Sequence, residues 1–304
     1  HTWKNEMKIN IIGFPLFYGC DKPGVEKGPD ILRKNGLIDV FTKKHEVCDL
    51  GNVKVNKVSS ENKYKCNNKM KYLDEIININ NELADKVNNS FDNGALPLVI
   101  GGDHALGMGS LAGCGKYFGQ DLAVIWVDAH GDINTPETSP SGNVHGMPLA
   151  ASMGVGYDSL INIYYKGCKV NPKNVYIIGA RDLDKGEIEL IENKHLNVWT
   201  MNDIKEKGLE KCLEELISTL DSSNINNVHL SFDIDSIDPT FIPGTGTPVV
   251  DGLTMEGGKK IIKDLLNTNL IRSIDFVEFN PSLDKEDITL NNCLSLLEEI
   301  SNNL

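Results

Sequence analysis

"LAVIWVDAHGD", residues 122–132, is the stretch that decides the fold. It begins with an unbroken apolar run, 122–127, and then places Asp128, His130 and Asp132 at every second position. An apolar run without alternation predicts a strand that is buried on both faces, as in a parallel sheet. Parallel α/β sheets bind ligands at the carboxyl ends of their strands, so the three polar residues stand where a binding site is expected.

Apolar runs and helical patterns alternate over most of the chain. Helix-like spacing of apolar residues occurs at 71–88, 209–220, 255–266 and 289–300,. Strand, helix and strand in turn predict an α/β layered domain. The polar, Lys- and Asn-rich segment 52–70 is expected to be a surface excursion within that domain. The other strand-like runs lie at 9–14, 98–100, 175–178, 228–232 and 271–277.

Five of the predicted strands are followed directly by acidic residues or histidine. By chance, acidic residues or histidine would follow far fewer of the predicted strands. Because ligands bind at the carboxyl ends of parallel strands, the side chains after these runs are expected to contribute to one site. The five segments are GGDHALGMGS (101–110), DAHGD (128–132), GARDLD (179–184), DIDSIDP (233–239) and EFNP (278–281).

The polar side chains at these strand ends indicate a site for two divalent cations. Residues two apart in an extended chain point to the same side, so they can converge on one ion. Oxygen-rich sites with some imidazole and no thiolate suit Mn²⁺ better than Zn²⁺. Two ions about 3.5–4 Å apart would share a water and convert it to hydroxide near neutral pH. The candidate ligands are His104, Asp128, His130, Asp132, Asp233 and Asp235.

Length and composition exclude several classes of protein. The chain has 304 residues, of which 40% are hydrophobic, and this is enough for a sizeable core,. None of its apolar runs approaches the ~20 residues that span a bilayer, so no membrane segment is expected. A net charge of −13 argues against a nucleic-acid partner and is compatible with a cationic substrate,. Seven scattered cysteines without a CxxC pair indicate a reducing cytoplasm,.

The expected domain is a single unit covering residues 7–304. Residues 1–6, HTWKNE, are expected to be a tag remnant, with Met7 as the native start,. DIDSIDP resembles the start of a calcium-binding loop, but Asp238 stands where that loop needs glycine,. The chain also lacks the Gly-x-Ser-x-Gly elbow of serine hydrolases,.

In this order, the strand-end segments resemble the ureohydrolase superfamily and, within it, the arginases. The resemblance runs from GVEKGPDILRKNGL (24–37) to DFVEFNPSLD (275–284). It implies a three-layer αβα fold with a central, mainly parallel sheet, and two Mn²⁺ per subunit. The implied reaction is hydrolysis of L-arginine to L-ornithine and urea, by attack of a dimanganese-bound hydroxide on the guanidinium carbon. A cytoplasmic homo-oligomer, a trimer or hexamer, is also implied.

The resemblance assigns metal-ligand and catalytic roles. All six metal-ligand positions of the family are filled by the candidates named above. His145 matches the acid–base histidine, Glu278 matches the carboxylate that holds the guanidinium, and Asp132 counts as catalytic as well as a ligand. A guanidinium is permanently charged and forms forked pairs with carboxylates, which makes a glutamate chemically suitable at position 278.

The loop 131–144 is expected to set substrate specificity. Arginases use this loop to recognise the amino-acid end of L-arginine, and agmatine lacks the α-carboxylate. A site built to pair with that carboxylate should reject agmatine, because its polar groups would stay unpaired. The matching positions are Asn134, Ser141 and Asn143 for the α-carboxylate, Asp184 for the α-amino group, and Thr247 at the periphery.

Departures from the family pattern leave alternatives open. Ala105 and Gly131 stand beside ligand positions where Ser and Thr are common, and Glu137 and Pro140 lie in the substrate loop. They put substrate preference in question more than reaction class. An agmatinase or another guanidino-compound hydrolase is therefore the first alternative, and an inactive metal-binding regulator is the second. A deacetylase of the same broad fold would need a tandem His pair, which this sequence lacks.

Overall fold

One parallel sheet organises the computed structural model, which describes residues 7–304; the tag remnant predicted at 1–6 lies outside the described residues. The strands are β1 (Lys8–Phe14), β2 (Glu46–Asn52), β3 (Leu96–Gly101), β4 (Ala123–Val127), β5 (Val175–Ala180), β6 (Asn197–Thr200), β7 (Val228–Asp233) and β8 (Ile271–Val277). Their order across the sheet is β2-β1-β3-β8-β7-β4-β5-β6. Each neighbouring pair is parallel.

The six strands predicted from apolar runs form the middle of this sheet. Every residue of β3, β4, β5 and β7 is buried, as expected for strands covered on both faces,. The two edge strands, β2 and β6, were not predicted. Each pairs with one neighbour, and neither has the continuous burial that makes an apolar run recognisable.

Helices cover both faces of the sheet, and the predicted three-layer αβα fold is confirmed. None of the helices described between residues 7 and 304 has the length and apolar character needed to cross a bilayer. They are α1 (Gly28–Lys34), α2 (Leu37–Thr42), α3 (Leu73–Asp92), α4 (Gly107–Phe118), α5 (Pro148–Ser152), α6 (Asp158–Ile161), α7 (Lys185–Lys194), α8 (Met201–Lys207), α9 (Leu209–Ser222), α10 (Met255–Leu266) and α11 (Ile288–Asn303).

Two hydrophobic cores lie on opposite faces of the sheet, because side chains alternate along each strand. In β4, Ile125 and Val127 pack into one core, while Val124 and Trp126 pack into the other. The first core is completed by α2, α9, α10 and α11, and the second by α3, α4 and α5. The sheet is therefore held rigidly, and its carboxyl edge can present side chains in fixed positions.

Glycines allow α4 to pack closely against α3. A Cβ at Gly109 would lie 2.7 Å from the backbone oxygen of Asn80, and one at Gly113 would lie 2.6 Å from that of Ala84. Larger residues would push the two helices apart. The segment was expected only as a strand-end motif, since a glycine-rich helix that is buried through most of its length has no clear apolar stripe,.

Candidate active site

The predicted site residues meet at the carboxyl ends of five adjacent strands, β3, β8, β7, β4 and β5. His104 opens a short 3₁₀ turn after β3, Asp128 follows β4, and Asp233 ends β7. Asp132 and Glu278 have a left-handed backbone, with φ of 52° and 76°. Such conformations cost free energy in residues other than glycine and concentrate at functional sites.

Four of the candidate ligands form one buried group around His104. Its Nδ1 lies 3.1 Å from Oδ2 of Asp128 and 3.1 Å from Oδ2 of Asp132. Oδ2 of Asp233 is 3.2 Å from the same nitrogen. Three carboxylate oxygens and one imidazole nitrogen form a donor set suited to a divalent cation such as Mn²⁺.

The second group shares Asp128 with the first. Nδ1 of His130 lies 3.3 Å from Oδ1 of Asp128 and 3.0 Å from Oδ2 of Asp235. Within each group, the ligand atoms all lie within 4.8 Å of one another. Asp128 therefore turns one carboxylate oxygen towards each group, and two cation positions would lie side by side.

The electrostatics of the two groups favour bound cations. Burial and the charge of Asp128 raise the pKa of Asp132 to about 6. Burial, together with Asp128 and Asp235, raises the pKa of Asp233 well above its ordinary value. The protein alone thus resists ionising all four carboxylates at once. Divalent cations would supply the missing positive charge, so the residues present fit a metal centre.

Hydrogen bonds behind His104 fix which of its ring nitrogens can bind a metal. Its Nε2 is 2.7 Å from Oγ of Ser231, which is 2.8 Å from Oδ2 of Asp275. A hydroxyl has one proton and a carboxylate only accepts, so Ser231 donates to Asp275 and accepts from His104 Nε2–H. In the neutral ring, Nδ1 then carries the lone pair and faces the carboxylates, as a metal ligand requires.

Asp275 also forms a fully buried ion pair with His229 of β7, at 2.7 Å between Nε2 and Oδ2. Ser273 Oγ lies 2.6 Å from Nδ1 of His229, and Ser110 donates to the other oxygen of Asp275 at 2.6 Å. Sequence reasoning did not find this pair, because the two residues are 46 positions apart in the chain. The His229–Asp275 pair thus extends the hydrogen-bond network behind His104 into the core.

The Asp275→Asn substitution should destabilise the protein strongly. It leaves His229 as a buried cation without its counter-charge, and breaking a buried pair in this way costs about 3–5 kcal/mol. Urea denaturation near pH 6 would measure the loss. Asp264→Asn is the control, since its pair with Lys260 is part-exposed and worth under about 1 kcal/mol,. A loss from Asp275→Asn no larger than the control's would contradict this assignment.

The pair of His229 with Asp275 also predicts that the stability difference between wild type and Asp275→Asn depends on pH. Burial alone would lower the pKa of His229, but the Asp275 carboxylate raises it to about 10. A histidine whose pKa is raised by folding stabilises the folded state. The stabilisation is complete when the pH is below the pKa of the unfolded chain, near 6.5, and it disappears as the pH rises through the pKa of the folded state. The stability gap between wild type and Asp275→Asn should therefore shrink between about pH 6.5 and pH 10.

A cavity of about 280 Å³ opens at the two ligand groups. His104, Asp128 and Glu278 are fully or almost fully buried and are not part of its lining. The other predicted residues all line the cavity: His130, Asp132, Asn134, Ser141, Asn143, His145, Asp184, Asp233, Asp235 and Thr247.

Asn134 is held between the substrate loop and α7. Its amide nitrogen donates to Asp184 Oδ2 at 2.8 Å, and its oxygen accepts from Thr138 at 3.0 Å. Glu187 accepts from the backbone N–H groups of Asp184 and Ile133, at 3.0 and 3.1 Å. Burial raises the pKa of Glu187 to about 7. Sequence reasoning missed Glu187, although the Asp-x-x-Glu spacing of a capping box was the available signal.

Glu278 is buried beside His145. Its Oε2 accepts from the backbone N–H of His104 at 2.8 Å and lies 2.8 Å from Nδ1 of His145. The backbone N–H of His145 donates to Gly19 at 3.0 Å. These contacts fix the imidazole in the cavity wall. The predicted contact between Glu278 and a guanidinium stays a prediction.

Asp182 is a further cavity residue that was not singled out, although it lies in the quoted GARDLD segment. Its Oδ2 is 3.5 Å from Nε2 of His130, so in the neutral ring it favours the proton on that nitrogen, with Nδ1 facing the ligand group,. Thr247 donates to Oδ2 of Asp235 at 3.3 Å. Both residues thus act on the second ligand group from the cavity side.

Comparison with known proteins agrees with this geometry. The profile of the arginase family matches residues 7–301. The chain is 42% identical over 293 residues to the arginase of Bacillus subtilis (strain 168), covering 96% of this chain and 97% of that one. The solved arginase structure from Bacillus subtilis subsp. subtilis str. 168 has a TM-score of 0.89 at 40% identity, covering 97% and 98%.

Solved structures with lower sequence identity distinguish a shared fold from membership of the family. The arginase of Entamoeba histolytica in complex with L-ornithine has a TM-score of 0.90 at 36% identity, covering 98% of each chain. A hypothetical agmatinase from Burkholderia thailandensis has a TM-score of 0.74 at 22% identity, covering 98% of this chain and 86% of that one, which shows the fold alone. Together with nearly full-length matches to arginases, the site makes this chain a metal-dependent hydrolase, and it belongs to the arginase family.

Proposed function

We propose that this protein hydrolyses L-arginine to L-ornithine and urea and binds two Mn²⁺ per subunit. The observation that carries the proposal is the arrangement of Asp128, whose two oxygens face two adjoining ligand groups. One carboxylate shared in this way suits a two-metal centre. The donor set of imidazole and carboxylate, with no thiolate in either group, suits Mn²⁺,.

His104, Asp128, Asp132 and Asp233 would hold one cation, and Asp128, His130 and Asp235 the other. Bound together, the two ions would supply a water-derived nucleophile near neutral pH. The remaining chemistry belongs to the side chains around the cavity. They must hold a permanently charged guanidinium, orient its carbon and provide a proton for the departing amine.

Glu278 would pair with the guanidinium. Both described contacts of its carboxylate use Oε2, so Oε1 is the oxygen that we assign to a substrate N–H. The negative charge of Glu278 suits this cation, and its fixed position keeps the guanidinium carbon over the ligand groups. Placing the carboxylate here requires a left-handed backbone at Glu278, and this conformation is locally strained,.

His145 would supply the proton. Its Nδ1 is held by Glu278, so Nε2 is the nitrogen that we assign to proton exchange in the cavity. As water oxygen adds to the guanidinium carbon, the bond from that carbon to the side-chain nitrogen breaks. The departing amine gains two protons, one of them delivered by His145, and both come in the end from the added water, whose oxygen becomes the carbonyl oxygen of urea. His145 thereby regains its own proton, and urea and L-ornithine result.

The amino-acid end of L-arginine would lie along the substrate loop. Asn134, Ser141 and Asn143 would contact the α-carboxylate, and Asp184 the α-amino group, while Thr247 borders the cavity. Agmatine would leave the first three unpaired, so L-arginine should be strongly preferred. An agmatinase remains the alternative, and it predicts the opposite preference.

Urea release from L-arginine and agmatine, assayed in parallel after Mn²⁺ loading, tests the proposal. We expect chelator-sensitive urea from L-arginine, with kcat/KM at least about 100-fold lower for agmatine. The control is the same protein held in excess chelator. A preference for agmatine would keep the metal centre and overturn the assigned substrate. Absence of urea from both substrates would overturn the assigned activity.

We also propose a cytoplasmic homo-oligomer, a trimer or hexamer, with residues 7–304 as a single domain. The one continuous sheet supports the single domain. The cysteines are free thiols, as is common in a reducing compartment,. Light scattering of the Mn²⁺-loaded protein would give the number of subunits.

A further inference from the structure

We propose that Lys71 is a specificity-determining residue, which positions Asn143 so that the cavity selects substrates with an α-carboxylate. The inference rests on the proposed function and deepens it. Lys71 directly follows the polar excursion 52–70, which is expected to lie on the surface, and it is the first residue of the predicted helical pattern 71–88. In the folded protein, residues 69–71 form the support against which the substrate loop packs.

The contact between Lys71 and the substrate loop involves both backbone and side chain. The backbone N–H of Lys71 donates to the carbonyl of Gly142 at 3.1 Å. Its ammonium group donates to Oδ1 of Asn143 at 2.9 Å. With two hydrogen bonds to consecutive loop residues, Lys71 fixes the loop at the position of Asn143.

Gly142 makes this close approach possible. Its φ is 72°, and a Cβ there would lie 2.8 Å from the backbone oxygen of Lys69. A residue with a side chain would be strained by its backbone and would collide with the supporting segment. The chain is therefore shaped for tight packing of this loop against residues 69–71.

The side-chain bond determines which way the amide of Asn143 points. A lysine ammonium only donates, so the atom of Asn143 that it meets must be the oxygen. The amide NH₂ then lies at the other end of the group, and Asn143 lines the cavity. Asn143 thus offers N–H donors to a ligand, which suit a carboxylate and do not pair with an apolar or cationic group.

Nearby charged side chains also favour a carboxylate at this end of the cavity. Lys71 lies 3.3 Å from Asp21, and Lys63 lies 3.0 Å from the same carboxylate oxygen. Two ammonium groups therefore share one carboxylate, which leaves positive charge in excess beside the loop. The Lys71 side chain is only 14% exposed, so water screens this charge less than it would at the surface,. In a chain with a net charge of −13, a local positive excess favours an anionic group at this end of the cavity,.

The Lys71→Met variant tests the proposal, because methionine keeps much of the aliphatic stem and removes the ammonium. A hydrogen bond to a charged group corresponds to about 10- to 100-fold in affinity. We expect KM for L-arginine to rise by that factor, with kcat changed by less than about threefold, since the reacting groups are untouched. For agmatine, which has no α-carboxylate, kcat/KM should stay within about threefold of wild type.

Two further variants separate specificity from structure. Lys71→Arg keeps the charge and the donors, so it should recover most of the affinity for L-arginine. Lys65→Met is the matched control, because that side chain is exposed on the same segment, and its kinetics should equal wild type. The proposal is overturned if Lys71→Met lowers kcat/KM equally for both substrates, or changes neither.

Calorimetric titration with L-ornithine keeps the inference separate from the proposed activity. L-ornithine carries the α-carboxylate, and its binding needs no turnover. Wild-type protein without urea release from L-arginine would refute the proposed function alone. Binding of L-ornithine that Lys71→Met weakens at least about tenfold would still support the role of Lys71. Equal binding by both proteins, or binding by neither, would overturn it.

Discussion

The Asp128→Asn variant should lose about 1000-fold or more of the wild-type rate of urea release, which corresponds to about 4 kcal/mol of transition-state stabilisation. Asparagine has nearly the same shape but no charge. Because Asp128 contributes one oxygen to each ligand group, its loss weakens both cation positions together. The variant should also retain fewer than two Mn²⁺ per chain after dialysis, as measured by elemental analysis.

Asp221→Asn is the matched control for this experiment. Asp221 is exposed near the end of α9, which leads into the amino end of β7 and so lies at the opposite edge of the sheet from the site. It should keep wild-type metal content and rate. An Asp128→Asn protein that holds two Mn²⁺ and works within about tenfold of wild type would contradict the shared-carboxylate arrangement.

The Glu278→Gln variant should lose roughly 1000-fold in kcat/KM for L-arginine while keeping its metal content. The guanidinium would lose its buried counter-charge, and removing one partner of such a pair costs about 3–5 kcal/mol. Glu278 contacts the backbone of His104 and the ring of His145, and it belongs to neither ligand group. Steady-state kinetics and elemental analysis on the same preparation separate substrate binding from metal binding.

Glu189→Gln, on the exposed face of α7, is the control for loss of a carboxylate. It should match wild type in both measurements. If Glu278→Gln instead lost metal along with activity, Glu278 would support the metal centre and would not be the group that holds the guanidinium. Full activity with normal metal content would remove Glu278 from the mechanism.

The centre of the fold and the ligand groups could be predicted because the same segments encode both. Each central strand is an unbroken apolar run, and the ligands follow it directly, as Asp128 follows β4. The edge strands β2 and β6 could not be predicted in this way, since a strand with one neighbour does not need a continuous apolar sequence. Helix α4 was missed because its burial depends on glycine contacts with α3.

The surroundings of the ligands depend on contacts that no local pattern encodes. His229 pairs with Asp275, 46 positions away, on the neighbouring strand. Lys71 reaches Asn143 across 72 positions, and its place at the start of a predicted helical pattern gives no sign of that contact. In each case the residue types are ordinary, and only the tertiary structure brings them together.

A stepwise Mn²⁺ titration of metal-free protein, with bound metal and urea release from L-arginine measured at every step, tests the central claim most directly. Two adjoining ligand groups sharing Asp128 predict saturation at two Mn²⁺ per chain, with full activity only when both are bound,. Saturation at one Mn²⁺ with full activity would contradict the two-metal centre. Two bound Mn²⁺ without urea from L-arginine would contradict the proposed reaction.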